Sequence, residues 1–300
     1  MSSKEENDAM TPWPAVSWEE RPWEAMPDHG ESRRARLRAR GPYNAAVPPF
    51  IADLALPMLS PETLTAAEDA MTELARFDGE HGSTTAPFAA ILLRSESASS
   101  SEIEQLTAQP KTIALAELGF KSGSNARRIV GNTSAMEAAI ALSADLGEEA
   151  IIAMQKALLV DTHPEYTGQW RDQQVWIGGG AANSPHSASF VPPHADRVPA
   201  LMADLVAFAQ RLDLPVMAQL AIAHAQFETI HPVPDGNGRT GRALRSNPPA
   251  ERECLQLRDR ATDRSTEDHC ARGTRFQERI QCAPDRWEHQ SDGGRYRLIC

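Results

Sequence analysis

At 300 residues the chain has room for one large domain or two small ones. Its 41% hydrophobic and 24% charged residues are ordinary for a globular protein, and a formal charge of −11 argues against a nucleic-acid binder, which shows a basic face. No apolar run approaches the ~20 residues that a bilayer span needs, and MSSKEENDAM has no apolar secretory region, so the expected compartment is the cytoplasm.

Residues 1–48 read as an irregular arm. TPWPAVSWEERPW is broken by prolines, and the basic run SRRARLRAR (32–40) reads as a solvated face or linker rather than an interaction patch. Trp13, Trp18 and Trp23 are expected to anchor the arm to the body, since an exposed tryptophan trio is costly. From about residue 49 to 143 the pattern is helical. PETLTAAEDAMTELARFD opens with proline and glutamate and places Leu64, Ala67, Met71, Leu74 and Ala75 on one expected buried face. SNARRIVGNTSAMEAAIALSADL follows with Ile129, Ala135, Met136, Ala139 and Leu142 inward. EEAIIAMQKALL and ALMADLVAFAQRL are the next helices. PVMAQLAIAHAQFETI then carries Leu220, Ala223, Phe227 and Ile230 on one stripe and runs into His231. Between the third and fourth helices, residues 174–177 and 188–191 are β-prone and separated by glycine and polar residues, a hairpin signal. The expected fold is therefore mainly α, a helical bundle with a small β-hairpin flap.

The segment HPVPDGNGRTGR (231–242) concentrates the chemistry. A helix ends on a histidine, proline fixes the exit, and a new helix begins near Asn237. Gly236 and Gly238 let backbone N–H groups converge at that helix N-terminus, a ready anion site. Arg239 and Arg242 are three apart and share the first turn, where the helix dipole disfavours cations unless an anion compensates; a polyphosphate would do so. Asp235 sits beside that anion site as a hard oxygen ligand suited to Mg²⁺. His231 is the group in the motif whose ordinary pKa suits general-base work near neutrality. A surface turn with incidental charges is the bland alternative. It accounts for DGNG alone but poorly for the whole set. No GxxxxGK[ST] occurs, so a P-loop phosphate site is excluded.

These residues resemble the Fic (filamentation induced by cAMP) family, whose core pattern is HPFx(D/E)GNGRxxR. His231, Pro232, Asp235, Gly236, Asn237, Gly238, Arg239 and Arg242 match it, and Val233 departs where the family has phenylalanine. QFETIHP, VWIGG, FVPP and YNAAVPPFIADL extend the likeness over about residues 43–245. The resemblance implies a protein adenylyltransferase using ATP and Mg²⁺, its target a Ser, Thr or Tyr hydroxyl of a partner protein. It implies His231 as base, Gly236, Asn237, Gly238 and Arg239 around the phosphates, Asp235 on Mg²⁺ and Arg242 on the γ-phosphate. The flap residues Val175, Trp176, Ile177, Gly178 and Gly179 would clamp the target by strand addition. No nucleic acid or membrane partner is implied, and a homodimer is left open.

SESASSSEIEQLTA contains Ser100 and Glu104 in the (S/T)xxxE(G/N) spacing of the family's inhibitory helix, with Gln105 in place of Gly or Asn. On the residues alone this is a solvated helix turn with a serine cap. The resemblance implies that Glu104 pairs with Arg242 where the γ-phosphate belongs, or supports the reverse reaction. On this reading residues 49–115 are an N-terminal helical region with the inhibitory helix, and residues 116–245 are the Fic core.

His224, seven before His231, reads as a core residue or one packed behind the site, His186 and His194 as surface residues of the flap region, and His81 and His163 as loop residues; no HExxH suggests a structural metal. After Arg245 the texture changes. Residues 246–300 contain no Val, Met or Lys, and they hold all four cysteines in no zinc-ligand spacing. Pro248 and Pro249 would stop the new helix. A frame shift near Arg245 and a genuine disordered tail are the two readings of this segment. The first implies a degenerate remnant without turnover as the alternative to an active transferase. A kinase or other phosphoryl transferase on the same site is a third possibility.

Overall fold

The computed structural model describes residues 14–23, 40–54, 59–142, 146–178 and 184–245. Trp13, most of the basic run, Gly179 and the segment 246–300 with its cysteines lie outside the described residues. Two strands, β1 (Ser17–Arg21) and β2 (Tyr43–Val47), precede eight α-helices in the described chain. These are α1 (Pro61–Thr85), α2 (Ala89–Ile103), α3 (Pro110–Glu117), α4 (Ser124–Ala141), α5 (Glu148–Leu159), α6 (Val198–Ala209), α7 (Val216–Ile230) and α8 (Asn237–Arg245). The architecture is mainly helical, as the patterning predicts. Among the described residues no helix is long and apolar enough to cross a membrane.

The described parts of the arm, residues 14–23 and 40–48, carry strands where its prolines suggest irregular chain. β1 pairs antiparallel with β2, Ser17 opposite Val47 and Arg21 opposite Tyr43. β2 in turn reaches the flap, where the Ala46 N–H donates to the Val191 carbonyl at 2.9 Å. Trp23 does anchor: its ring meets Tyr43, Trp176 and His186 edge-on at 6.0, 5.6 and 6.4 Å. Trp18 packs edge-on against Phe190 but stays half exposed. Among the described residues the β-prone flap pieces meet through one antiparallel bridge, Ile177 to Phe190, rather than a ladder. Pro185, Pro192 and Pro193 supply no N–H to extend it, and a 3₁₀ turn interrupts at Pro185–Ser187.

The main core lies between α5, α6 and α7, where Ile151, Leu201, Met202, Leu205, Phe208, Phe227 and Ile230 are buried together with Ile51 from the chain before α1. α4 buries Ile129, Ala135, Met136 and Ala139 as expected. It crosses α5 at close range, because a Cβ on Gly131 would stand 2.3 Å from the Leu158 carbonyl oxygen. That spacing excludes any residue larger than glycine. α1 is peripheral: Leu64, Ala67, Met71 and Ala75 are half buried, but Leu74, one step off that stripe, is exposed.

α2 inverts the usual rule. Ser97, Ser100 and Ser101 are buried while Ile91, Leu92 and Ile103 face outward. The buried serines meet a polar stripe on α4. Asn132 Nδ2 donates to the Ser97 carbonyl at 2.9 Å and to Ser101 Oγ at 3.2 Å, and Thr133 Oγ1 donates to Ser97 Oγ at 3.0 Å. These bonds give Ser97, Ser101, Thr133 and the Asn132 Nδ2 partners, which offsets the desolvation they would otherwise suffer, while Asn132 Oδ1 is buried without one. Small side chains let the two helices approach, and the hydrogen bonds fix their register.

Candidate active site

α7 ends at His231, whose φ of 51° and ψ of 59° are left-handed. That conformation costs a non-glycine residue about 1–2 kcal/mol, so it persists only where the surroundings enforce it. The His231 N–H closes the last turn on Phe227 O at 2.9 Å, and Pro232 forbids a further helical turn. The imidazole is largely buried, and Nδ1 has no hydrogen-bond partner. Burial first, then the Arg171 cation, push the His231 pKa down from 6.5 to about 4. The Glu228 backbone, Glu104 and Asp235 act the other way. The ring is therefore neutral at physiological pH, the state a proton acceptor requires.

From His231 the chain turns through a loop held by Asn237. The Asn237 Oδ1 accepts from Val233 N at 3.0 Å and its Nδ2 donates to Val233 O at 2.8 Å. The sequence reading put Asn237 among the groups that cradle phosphates. Its amide is instead engaged by the loop and 4% exposed, so what it can offer an anion is its backbone N–H. Val233 is fully buried in the position where a phenylalanine was noted as missing. Gly236 has φ +86°, and a Cβ there would lie 2.6 Å from Leu158 Cδ2, so both conformation and space demand glycine. Gln155, fully buried on α5, reaches Tyr166 O at 2.7 Å and Asp235 O at 3.4 Å and braces the same turn.

The first turn of α8 carries the cations. Arg239 is 2% exposed and its Nη1 is buried without a partner. Desolvation pulls its pKa below the usual guanidinium range. A buried guanidinium with an unmatched donor at a helix N-terminus is an anion receptor by chemistry and position. Arg242 is held by α2: Nε donates to Ser100 Oγ at 2.9 Å, and Nη2 donates to Ser100 O at 2.9 Å and to Glu104 Oε1 at 3.0 Å. A Cβ on Gly238 would stand 2.5 Å from that same Glu104 oxygen. The carboxylate thus lies directly over the glycine-lined helix start, beside the Arg242 guanidinium.

Glu104 is delivered by the end of α2. The Gln105 N–H bonds Glu102 O at 2.8 Å and the Leu106 N–H bonds Ser101 O at 3.0 Å, the paired closure of a helix ending in a left-handed residue. Gln105 is that residue, with φ 59°. This accounts for the glycine or asparagine in the resembling pattern: those residues reach left-handed φ at least cost. Glutamine reaches the same geometry with some strain.

Asp235 Oδ1 accepts from Gly236 N at 2.7 Å, and Oδ2 faces Arg128 at 3.8 Å. The half-exposed Oδ2 has the hardness and access for Mg²⁺. Among the described residues no group of three or more His, Cys, Asp or Glu could hold a metal. A lone carboxylate suits a cation that arrives with substrate phosphates better than a resident one.

The structure therefore brings His231, Asp235, Gly236, Asn237, Gly238, Arg239, Arg242, Ser100 and Glu104 together. Of the flap residues, Val175, Trp176, Ile177 and Gly178 are described; Ile177 bridges to Phe190, and Gly178 at φ +70° packs against Ser189 Oγ. His224 bonds Gly241 O at 3.1 Å, His186 bonds Gly41 O at 3.0 Å and His194 meets Asp196 at 3.0 Å, while His81, expected in a loop, lies within α1. The sequence reading missed Arg128, Glu228 and Arg171. Glu228 has its pKa raised by burial, tempered by the Arg242 charge. Arg128 and Arg171 carry no local motif and reach the site only through tertiary packing, whereas Glu228 lies within QFETIHP, one helical turn before His231, where the sequence reading gives it no role.

Residues 145–246 match the Fic/DOC family. Among solved structures, a Fic family protein from Desulfovibrio desulfuricans is similar at 21% identity over 75% of this chain and 74% of that chain, with a TM-score of 0.53. Fic-1 from C. elegans is similar at 20% identity over 74% and 72%, with a TM-score of 0.44. The helical bundle thus has the fold of a Fic family protein, and its stretch from residue 145 to 246, which holds the histidine, the loop and α8, is similar to the Fic/DOC family.

Proposed function

We propose that this chain is a protein adenylyltransferase held inactive by Glu104. The observation that carries the reading is one arrangement: a neutral, buried histidine ends one helix, an arginine-lined glycine turn opens the next, and a glutamate is seated on that turn's anion site. An internal carboxylate placed over buried arginines occupies the position of a negatively charged substrate group.

On this reading ATP is the donor. Its phosphates rest on the N–H groups around Gly236 and Gly238, with Arg239 beneath and Arg242 on the terminal phosphate once Glu104 withdraws. A Ser, Thr or Tyr hydroxyl of a target protein, laid along the flap at Val175–Gly178, gives its proton to the His231 ring. The hydroxyl oxygen bonds to the α-phosphorus as the bond to the bridging oxygen breaks. Pyrophosphate leaves, and the target keeps AMP as a phosphodiester. Mg²⁺, held at Asp235 with the phosphates, would neutralise charge on the leaving group. Positioning and charge stabilisation supply most of the acceleration, and the base contributes about 10²–10⁴-fold.

The test is label transfer from ATP radiolabelled at the α-phosphorus. Protein label in Glu104→Gly, lost again in Glu104→Gly with His231→Ala, supports donor, brake and base together. Soluble Glu104→Gly protein that binds ATP yet acquires no label rejects the reading.

A further inference from the structure

Arg171 is 3% exposed and forms no salt bridge among the described residues, although burial has brought its pKa from 12.5 down to only about 10. It is thus a buried cation at neutral pH. Backbone carbonyls take the place of a carboxylate partner. Its Nε donates to His231 O at 2.8 Å and its Nη2 to Ile230 O at 3.2 Å. Nη2 also donates to Pro193 O at 2.6 Å, and Nη1 to Gln173 O at 2.9 Å. Its own backbone N–H donates to Pro232 O at 2.9 Å.

The pattern has a direction. Residues 230, 231 and 232 are consecutive carbonyls at the C-terminal end of α7, where the last turn lacks intrahelical donors and the dipole favours a cation. Residues 173 and 193 flank the two flap segments. One planar fork therefore joins the strained turn that carries His231 to both ends of the flap. An ammonium group cannot reproduce this: it has the charge but not the in-plane donors.

We propose that Arg171 is a positioning residue that fixes the left-handed backbone of His231 relative to both ends of the flap, so that base and bound target segment share one frame. The inference rests on the reading of His231 as the base and of the flap as the target cradle. It follows that Arg171 acts on the reacting geometry rather than on nucleotide binding, which is centred on α8. A displacement of about 1 Å at a reacting centre costs on the order of 10²-fold in rate.

The experiment compares Arg171→Lys and Arg171→Gln in the Glu104→Gly background. With folding checked by thermal melting, the expected result for Arg171→Lys is a loss of kcat of roughly 10–100-fold with KM for ATP within about threefold. Unchanged kcat overturns the proposal, and so does equal loss of kcat and ATP binding, which is the mark of a merely structural residue. Should neither variant fold, wild-type protein with ¹⁵N-labelled arginine decides. A slowly exchanging Arg171 Nε–H with scalar coupling across the hydrogen bond to the His231 carbonyl is expected, and a freely rotating guanidinium without coupling overturns it. If the Glu104→Gly parent itself transfers no AMP, the adenylyltransferase reading has failed. The spectroscopic result then still reports on Arg171 alone.

Discussion

Replacing Glu104 with glycine should tighten ATP binding by a factor that the contact geometry bounds. The Glu104 carboxylate bonds Arg242 Nη2 at 3.0 Å, with the two side chains 42% and 15% exposed. A fully exposed pair is worth at most about 1 kcal/mol. A charge-assisted bond to a mostly buried arginine reaches about 1.5–3 kcal/mol. The contact competes directly with a phosphate, so a coupling of about 1–3 kcal/mol converts to roughly 5–150-fold in affinity. The Ser100 hydrogen bonds to Arg242 do not involve the carboxylate, so α2 stays docked and only the anion over Gly238 is removed. Isothermal titration of ATP with Mg²⁺ into wild type, Glu104→Gly and Glu104→Gln at one ionic strength measures the effect. Glutamine keeps the shape without the charge and should fall between the other two. Equal affinity in all three would refute the competition argument.

Other consequences follow from the same contacts. His231 has a folded pKa of about 4, below its unfolded value of 6.5, so between those pH values the unfolded state binds more protons. Its contribution to stability is complete above about pH 6.5 and is lost as pH falls toward 4, up to about 3 kcal/mol. The melting temperature of His231→Gln should therefore fall less over that window than that of wild type; parallel curves would contradict the assigned burial. Asn237→Ala removes two buried hydrogen bonds to Val233 and should cost about 2–4 kcal/mol in chemical denaturation while abolishing ATP binding. A variant with wild-type ATP affinity would show that the loop does not need the clamp. Gln105→Gly relieves a φ of 59° and should stabilise the end of α2 by about 0.5–1 kcal/mol, deepening inhibition. Raised basal labelling in that variant would contradict the role of this turn in seating Glu104.

What was legible in the sequence was what is local or periodic. The stretch from His231 to Arg242 could be read because its parts lie within about a dozen consecutive residues, and α4, α5 and α7 because their apolar stripes are buried. The pairing of Glu104 with Arg242 was legible only through family resemblance. α2 defeats periodicity by burying Ser97, Ser100 and Ser101 and exposing Ile91, Leu92 and Ile103, since its contact with α4 is made by hydrogen bonds. The β1–β2 ribbon was hidden among prolines and depends on the flap for support. α3 did announce itself with Pro110 at its first position, a start signal that the reading passed over. Asn237 and Arg171 show the deeper limit. Residue type predicts that an amide or guanidinium seeks partners, but only the fold decides whether these are phosphates or carbonyls.

The central claim is that His231 promotes transfer of the α-phosphoryl group of ATP, with its nucleoside, to a protein hydroxyl. The most direct measurement presents Glu104→Gly protein with ATP labelled at either the α- or the γ-phosphorus, alongside the same variant carrying His231→Ala. Protein-bound label from the α-position alone, absent in the double variant, is the predicted result. Label from the γ-position, or α-label that survives loss of His231, would contradict it.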